Sequence, residues 1–404
     1  MSSPYRRLVS RGRLVAIPVV IVAAVTAGVS VASGAPARST TSAISGTELA
    51  QLKAFVAKAQ KPPKWRAPGP AVNARKALRG KKIVTFPISS EIDACNLKGQ
   101  QGYLDSEAKK LGATVVALNT NAGPPSWQAN LSTALTQKAD AVVMLCGVAA
   151  SAVAPQLQAL HNAHIPVVDG NYNQTGGNPA FPFTNLSAVS GIDTAGGVKT
   201  DLAQALVNLK GKPAHVLFLN SPQVAQYTGA KNALASGIKK WCPKTCSVEK
   251  EEDFGTQDWG SAKEQQTIAT DLQGDSKINA VIVTFDGMSD VIVNVVHSAA
   301  ASHPGLKLYA WGGGISEIKT VQKNPIFAGD SGPNERWDAY NQLDQVIRLL
   351  AHKKPAPVSR EIAPNMFFTK KNAKTFYKGD TYSDKPFSNG AFAKDFKKLW
   401  EVSK

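Results

Sequence analysis

From Lys82 onward the chain alternates short β-branched runs with longer stretches whose apolar residues recur every three or four positions. "KIVTFPISS" (82–90) reads as a strand, as do "ATVVALNT" (113–120), "DAVVMLC" (140–146) and "IPVVDG" (165–170). Between them, Leu97, Leu104, Ala108 and Leu111 form one helical stripe; Trp127, Leu131 and Leu135 form a second; Val153, Leu157 and Leu160 form a third. The rhythm then restarts. Helices are predicted over 191–209, 224–241, 259–272 and 288–301, and strands over 214–220, 246–254, 279–286 and 307–313. "IFAGD" (326–330), a long helix over 334–350, a strand near 362–368 and a last helix around 392–400 complete the chain. Such alternation predicts an α/β fold of two doubly wound units, each a parallel sheet covered by helices.

In such sheets the strand carboxyl ends share one edge, and ligands bind there. Polar residues gather at those ends: Ser89, Ser90, Glu91 and Asp93, then Asn119, Asn121, Asp169 and Asn171, then Asn220, Ser221 and Asp286. Carboxylates and amides suit a polyhydroxyl ligand, because each hydroxyl both donates and accepts. Asp169 in "IPVVDGNYN" is equally a turn former, since Asp-Gly closes strands, and Asp286 is equally a cap for the helix after it. Tyr172, Tyr227, Trp259, Phe285, Trp311 and Trp337 offer ring faces for the apolar side of a sugar, with core packing as the alternative for each. Trp127 lies on a helical stripe and reads as core.

The N-terminus breaks the pattern. Arg6, Arg7, Arg11 and Arg13 precede an uncharged apolar run from Leu14 to about Val31, and Ala35 and Ala37 follow in "ASGAPA". This is the layout of a secretory signal, expected over 1–37, with a retained membrane anchor as the alternative. No Cys precedes Cys95, so no lipobox thiol is present for a lipid anchor. Residues 38–80 are rich in Ala, Pro and Lys and read as a linker, with a short helix near Gly46 to Ala59.

The net charge is +17; five Arg fall within residues 1–38 without an acid, leaving about +12 for the rest. A basic exported protein can rest on an anionic envelope surface. No basic-aromatic groove is visible, and no nucleic acid is expected. Export permits disulfides. "WCPKTC" sets Cys242 and Cys246 in a short loop, without the further Cys or His of a zinc site, and Cys95 and Cys146 are then left for each other. The latter two fall at the carboxyl ends of the first and third strands, neighbours in a 2-1-3 strand order; two buried thiols are the alternative.

Enzyme chemistry needs a constellation, and none stands out. The histidines lack metal-ligand spacing, and "WGGGIS" (311–316) lacks the G-x-G-x-x-G of a dinucleotide loop. There is no G-x-S-x-G elbow and no Walker A motif. No cofactor, no metal and no catalytic residue are expected.

Taken together, "ISSEIDACNLKGQQGYLDSEAKKLGATVVAL", "ALTQKADAVVML…AVAPQLQALHNAHIPVVDGN" and "NAVIVTFDGMSDVIVNVV" make residues 80–370 resemble the type I periplasmic-type sugar-binding proteins, the ribose- and galactose-binding group that serves ABC transporters. The resemblance implies two lobes joined by three crossings, near 185–189, 330–333 and 357–362. Lobe one would be 81–187 plus 332–360, and lobe two 188–331 plus 361–404. It implies ligand contacts from Ser90, Glu91, Ile92 and Asp93, from Asn171 and Tyr172 near Asp169, from Gln226 beside Tyr227, from Phe285 and Asp286, from Trp311, and from Asp330 or Ser331. Trp259 joins them as an aromatic candidate. The chain departs from the family where an Asp-Arg pair gives way to Asn171-Tyr172 and an Arg to Gln226. The implied function is an extracytoplasmic solute-binding protein, a monomer that captures a small polar ligand, most simply a sugar, and presents it to a membrane ABC permease. The alternatives are a sensing module for a receptor or kinase, and a secreted Rossmann-type enzyme.

Overall fold

The computed structural model describes residues 44–121, 123–173, 185–222, 224–227 and 229–402. The expected signal, 1–37, lies outside the described residues.

The first sheet is built from β1 (Lys82–Pro87), β2 (Thr114–Ala117), β3 (Ala141–Leu145), β4 (Val167–Asn173), β5 (Ala188–Ile192) and, far along the chain, β11 (Ile362–Ala363). Its order is β11-β5-β4-β3-β1-β2 and every pairing is parallel. Ile83, Val143 and Val168 face α3 (Gln100–Lys110) and α11 (Glu335–Leu350), through Leu104, Ala108, Leu343 and Val346. Val84, Phe86, Val142 and Met144 face the other way, onto Trp127 and Leu131 of α4 (Pro124–Thr136) and Leu157 and Leu160 of α5 (Ala154–Asn162). Parallel strands covered on both faces must be apolar on both, which is why these runs do not alternate.

The second sheet repeats the plan with β6 (His215–Asn220), β7 (Ser247–Asp253), β8 (Ala280–Val283), β9 (Lys307–Trp311), β10 (Phe327–Gly332) and β12 (Met366–Phe368), in the order β12-β10-β9-β8-β6-β7. Only β12 is antiparallel, at the edge. One face carries α6 (Thr194–Asn208) and α7 (Ala230–Trp241). The other carries α8 (Ala262–Gly274), α9 (Asp286–Ala299) and α10 (Ile315–Lys323).

Three crossings join the lobes, the first and third a few residues beyond the expected positions. The first follows β5, the second follows β10, and the third runs from β11 of one sheet to β12 of the other. β5 was hidden in "AVSGI", whose small residues run on into a helical pattern; its five residues are all buried, so the first lobe keeps the chain through Ile192. The single strand expected over 362–368 is two short strands in different sheets, broken at Pro364-Asn365. Polar caps restart a helix after the first two crossings: Asp193 accepts from Gly196 N at 2.8 Å and Asn334 from Trp337 N at 3.0 Å.

The segment expected as linker is structured where it is described. α1 (Gly46–Ala59) begins with a Ser45–Glu48 capping box and buries Leu52 and Val56 against α6. The chain then passes to the first lobe, where α2 (Ala74–Leu78) enters the core and Val72 N donates to Leu399 O of α12 (Phe392–Leu399). α12 packs beside α11, so the last helix of the tail assigned to the second lobe lies against the first. Arg348 and Asp344, both buried, pair at 2.6 Å; Arg348 also donates to Pro70 O and Trp400 to Asp344. This network pins N-terminal segment, α11 and tail together. A small hairpin, β13 (Tyr377–Lys378) and β14 (Thr381–Tyr382), lies between β12 and α12 in the chain.

Candidate functional site

The carboxyl ends of the two sheets meet across a cavity of about 900 Å³. The first lobe supplies Ile88, Ser89, Glu91, Asp93 and Lys98; the second supplies Trp259, Phe285, Asp286, Asp290 and Glu317. Asp380 and Tyr382 of the tail hairpin close one side.

The opening loop after β1 is held from three directions. Ile88 N donates to Leu145 O at 3.0 Å, Trp127 Nε1 to Ile88 O at 2.9 Å, and Ser90 Oγ accepts from Thr120 N at 2.9 Å. Cys95 is joined to Cys146 at the end of β3, as expected, with Cα atoms 5.9 Å apart; Cys242 is joined to Cys246. Cys146 has φ +64° and Gly147 φ +81°, a left-handed turn that carries the chain away from the sheet. Ser90 is therefore spent on the loop, and Ser89 lines the cavity in its place. Asp93 is exposed and takes both 3.0 Å bonds from Lys98.

On the second lobe the rings form a chain. Trp259 and Phe285 are 4.4 Å apart between centroids, Phe285 and Tyr227 6.3 Å, Tyr227 and Trp311 6.1 Å. Only Trp259 and Phe285 line the cavity; Tyr227 and Trp311 are buried behind them, packed with the apolar cluster of the first lobe. Burial pushes the Tyr227 phenol up, and Gln226 is its hydrogen-bond partner. Gln226 in turn abuts Gly147 of the other lobe, where a Cβ would lie 2.9 Å from its Oε1. Trp337, offered as a ring face, is stacked on Phe392 at 4.7 Å in the core instead.

Asp286 is the first residue of α9, not a cap ahead of it. Its Oδ2 accepts from Gly314 N at 2.6 Å, and the "GGG" of 312–314 wraps it: a Cβ on Gly312 would fall 2.0 Å from Asp286 Oδ1, and one on Gly314 2.0 Å from Glu317 Oε2. The glycines give two carboxylates room to stand beside the backbone. Burial pushes Asp286 up to about 7, the Gly314 amide opposing and Asp290 adding to it. Burial, then Asp286 and Asp290, hold Glu317 well above the usual carboxylate range.

Of the residues expected at the site, Glu91, Asp93, Trp259, Phe285 and Asp286 are brought together on the cavity wall. Asp169 is buried inside β4, and burial raises its pKa well above normal. Ser331, buried at the second crossing, donates to Asp201 Oδ2 at 3.4 Å. Asn171 and Tyr172 belong to β4 by backbone, but as ligand contacts they fall outside the described side chains. Sequence reasoning missed Asp290, Glu317 and Tyr382. Asp290 lies one helical turn after Asp286, so the spacing held a signal; the tail hairpin gave none. Among the described residues no group of three or more His, Cys, Asp or Glu is arranged to hold a metal ion.

A sequence profile of the family described as periplasmic binding protein domain matches residues 98–354. No curated protein sequence matches the chain. Among solved structures, the chain is similar to an ABC transporter solute-binding protein from Agrobacterium vitis with bound allitol, at 20% identity and TM-score 0.62, over 74% of this chain and 98% of that one. It is similar to the 5-methylthioribose transporter solute-binding protein from Thermotoga lettingae, at 14% identity and TM-score 0.64, over 81% and 99%. It is also similar to an ABC transporter solute-binding protein from Bacillus halodurans with bound myo-inositol, at 12% identity and TM-score 0.59, over 73% and 96%. Identities this low establish a shared fold.

Proposed function

The chain belongs to the periplasmic binding protein domain family, and from that premise we propose that it captures a small polyhydroxy compound, a sugar or polyol, between its lobes and delivers it to a membrane ABC permease. The observation that carries this reading is the cavity itself, walled by residues that follow strands of both sheets. A ligand there touches both lobes at once, so it favours the arrangement in which they meet. Solved relatives hold allitol and myo-inositol, compounds whose many hydroxyls match a wall of carboxylates, hydroxyls and rings.

Specific roles follow. Ser89, Glu91 and Asp93 address hydroxyls from the first lobe, Asp286 from the second, and Trp259 with Phe285 covers an apolar ring face. A hydrogen bond to a charged partner contributes roughly 1.5–3 kcal/mol net. Tyr227, Gln226, Trp311 and Ser331 shape the wall from behind, and Asp169 with Asn171 and Tyr172 extends the grip from β4. Residues 1–37 act as an export signal, which sets the protein outside the cytoplasm, and it works as a monomer. Binding and release, without covalent change, suffice for this role.

Thermal melting against a panel of sugars, polyols, nucleosides and small acids tests the reading. A sugar or polyol is expected to raise the melting temperature in step with its free concentration. If only nucleosides or acids do so, the polyhydroxy assignment fails.

A further inference from the structure

The cavity is opposite in sign to the molecule around it. The chain as a whole carries +17. The cavity wall holds six carboxylates, Glu91, Asp93, Asp286, Asp290, Glu317 and Asp380, against three lysines and no arginine. Two of those lysines are already engaged: Lys98 with Asp93 at 3.0 Å and Lys319 with Asp380 at 2.6 Å.

The remaining acids are concentrated on the second lobe. Asp286 and Asp290 project from successive turns of α9, and Glu317 comes from the first turn of α10. Asp286 and Glu317 are nearly fully buried, yet among the described residues none of the three has an ion-pair partner. Asp286 accepts from the Gly314 amide at 2.6 Å, Asp290 accepts from the Ser316 hydroxyl at 3.1 Å, and Asp290 and Glu317 hydrogen-bond each other through a proton held between the two carboxyls. Burial and mutual repulsion hold protons on Asp286 and Glu317; neutral hydroxyls can hydrogen-bond such acids, but they do not offset the repulsion that ionisation brings. An ammonium does both, with three donors and a full positive charge, and its bonds to carboxylate are the stronger kind. Trp259 and Phe285, on the same wall, add the ring faces that attract a cation. Metal is the poorer match, since no ligand cluster of suitable geometry is present among the described residues.

We propose that the ligand carries a protonated nitrogen: an amino sugar or amino polyol whose ammonium sits against Asp286, Asp290 and Glu317 while its ring lies on Trp259 and Phe285. This rests on the reading of the cavity as a polyol site and narrows it to a cationic member of that class.

Titration calorimetry with matched pairs tests it: D-glucosamine against D-glucose, and D-galactosamine against D-galactose, with the N-acetylated forms as uncharged controls. In at least one pair the amine is expected to bind at least tenfold tighter than its neutral parent and its N-acetyl form. Asp290→Asn and Glu317→Gln should each cut that advantage severalfold; the first is on an exposed position, so it keeps the test valid if the second disturbs folding. Neutral parents that bind as tightly as the amines, or an amine advantage unchanged in both variants, overturn the inference and leave polyol capture standing. If no amine and no neutral sugar or polyol binds, both readings fall.

Discussion

Trp259 is half-buried on the cavity wall, 4.4 Å from Phe285. A ligand ring that lies on its face gains both buried area and stacking from one side chain. Trp259→Ala should weaken binding of the stabilising sugar or polyol by at least tenfold, since stacking of this kind contributes about 0.5–1.5 kcal/mol beyond the area buried and that area is lost with the ring. Calorimetry with that ligand checks the drop, and an unchanged affinity removes Trp259 from the site. Asp286 was legible because it ends a strand in a pattern whose strand ends converge. Glu317 was not, because its place depends on the tight passage of Gly312 to Gly314, and a triple glycine by itself suggests only a flexible or phosphate-binding loop. Tyr382 reaches the cavity through a tail hairpin whose docking on α10, through Lys319 with Asp380, no local pattern records.

At the scale of elements, the loop from Ile88 to Lys98 carries the first lobe's contacts and is anchored by the Cys95–Cys146 bond to the end of β3. Without that bond the loop keeps only hydrogen bonds such as those at Ile88 and Ser90. Replacing both cysteines by Ser should cost about 2–4 kcal/mol of stability. Amide exchange should accelerate over residues 88–98 more than over β1 or β3, and ligand affinity should fall with it; exchange mass spectrometry reads the first directly. The parallel strands were legible because each is an apolar run between amphipathic helices. β5 was not: Ala188, Ser190 and Gly191 are small, and their burial comes from neighbours on both faces of the sheet rather than from their own bulk. In the stretch before Lys82 the helix over Gly46–Ala59 was legible, while the packing of the rest was not, for a related reason. Ala, Lys and Pro dominate its composition, while Leu52, Val56, Val72 and Leu78 do the packing.

The whole molecule holds an unusual number of acids in its interior. Burial pushes Asp105 up to about 6, and Glu264 and Asp338 up to about 7. Folding thus raises these pKa values above those of the unfolded chain, so the folded state keeps protons that the unfolded chain releases. Their contribution is fully present below about pH 4 and is lost as pH rises through 6 and 7. Asp140, Glu48 and Glu249 are shifted the opposite way and lose their contribution as pH falls below about 4. Stability should therefore peak near pH 4–5 and fall by a few kcal/mol towards pH 8. Urea midpoints across that range check it, and a flat profile would mean these carboxyls stay solvated.

Two lobes with one cavity between them make a single structural demand: bound ligand must touch both. The most direct measurement is a crystal structure of the protein with the sugar or polyol that most raises its melting temperature. The account predicts one ligand between the Ser89–Asp93 loop on one side and Trp259, Phe285 and Asp286 on the other. Ligand density confined to a single lobe, or lying outside this cavity, would contradict it.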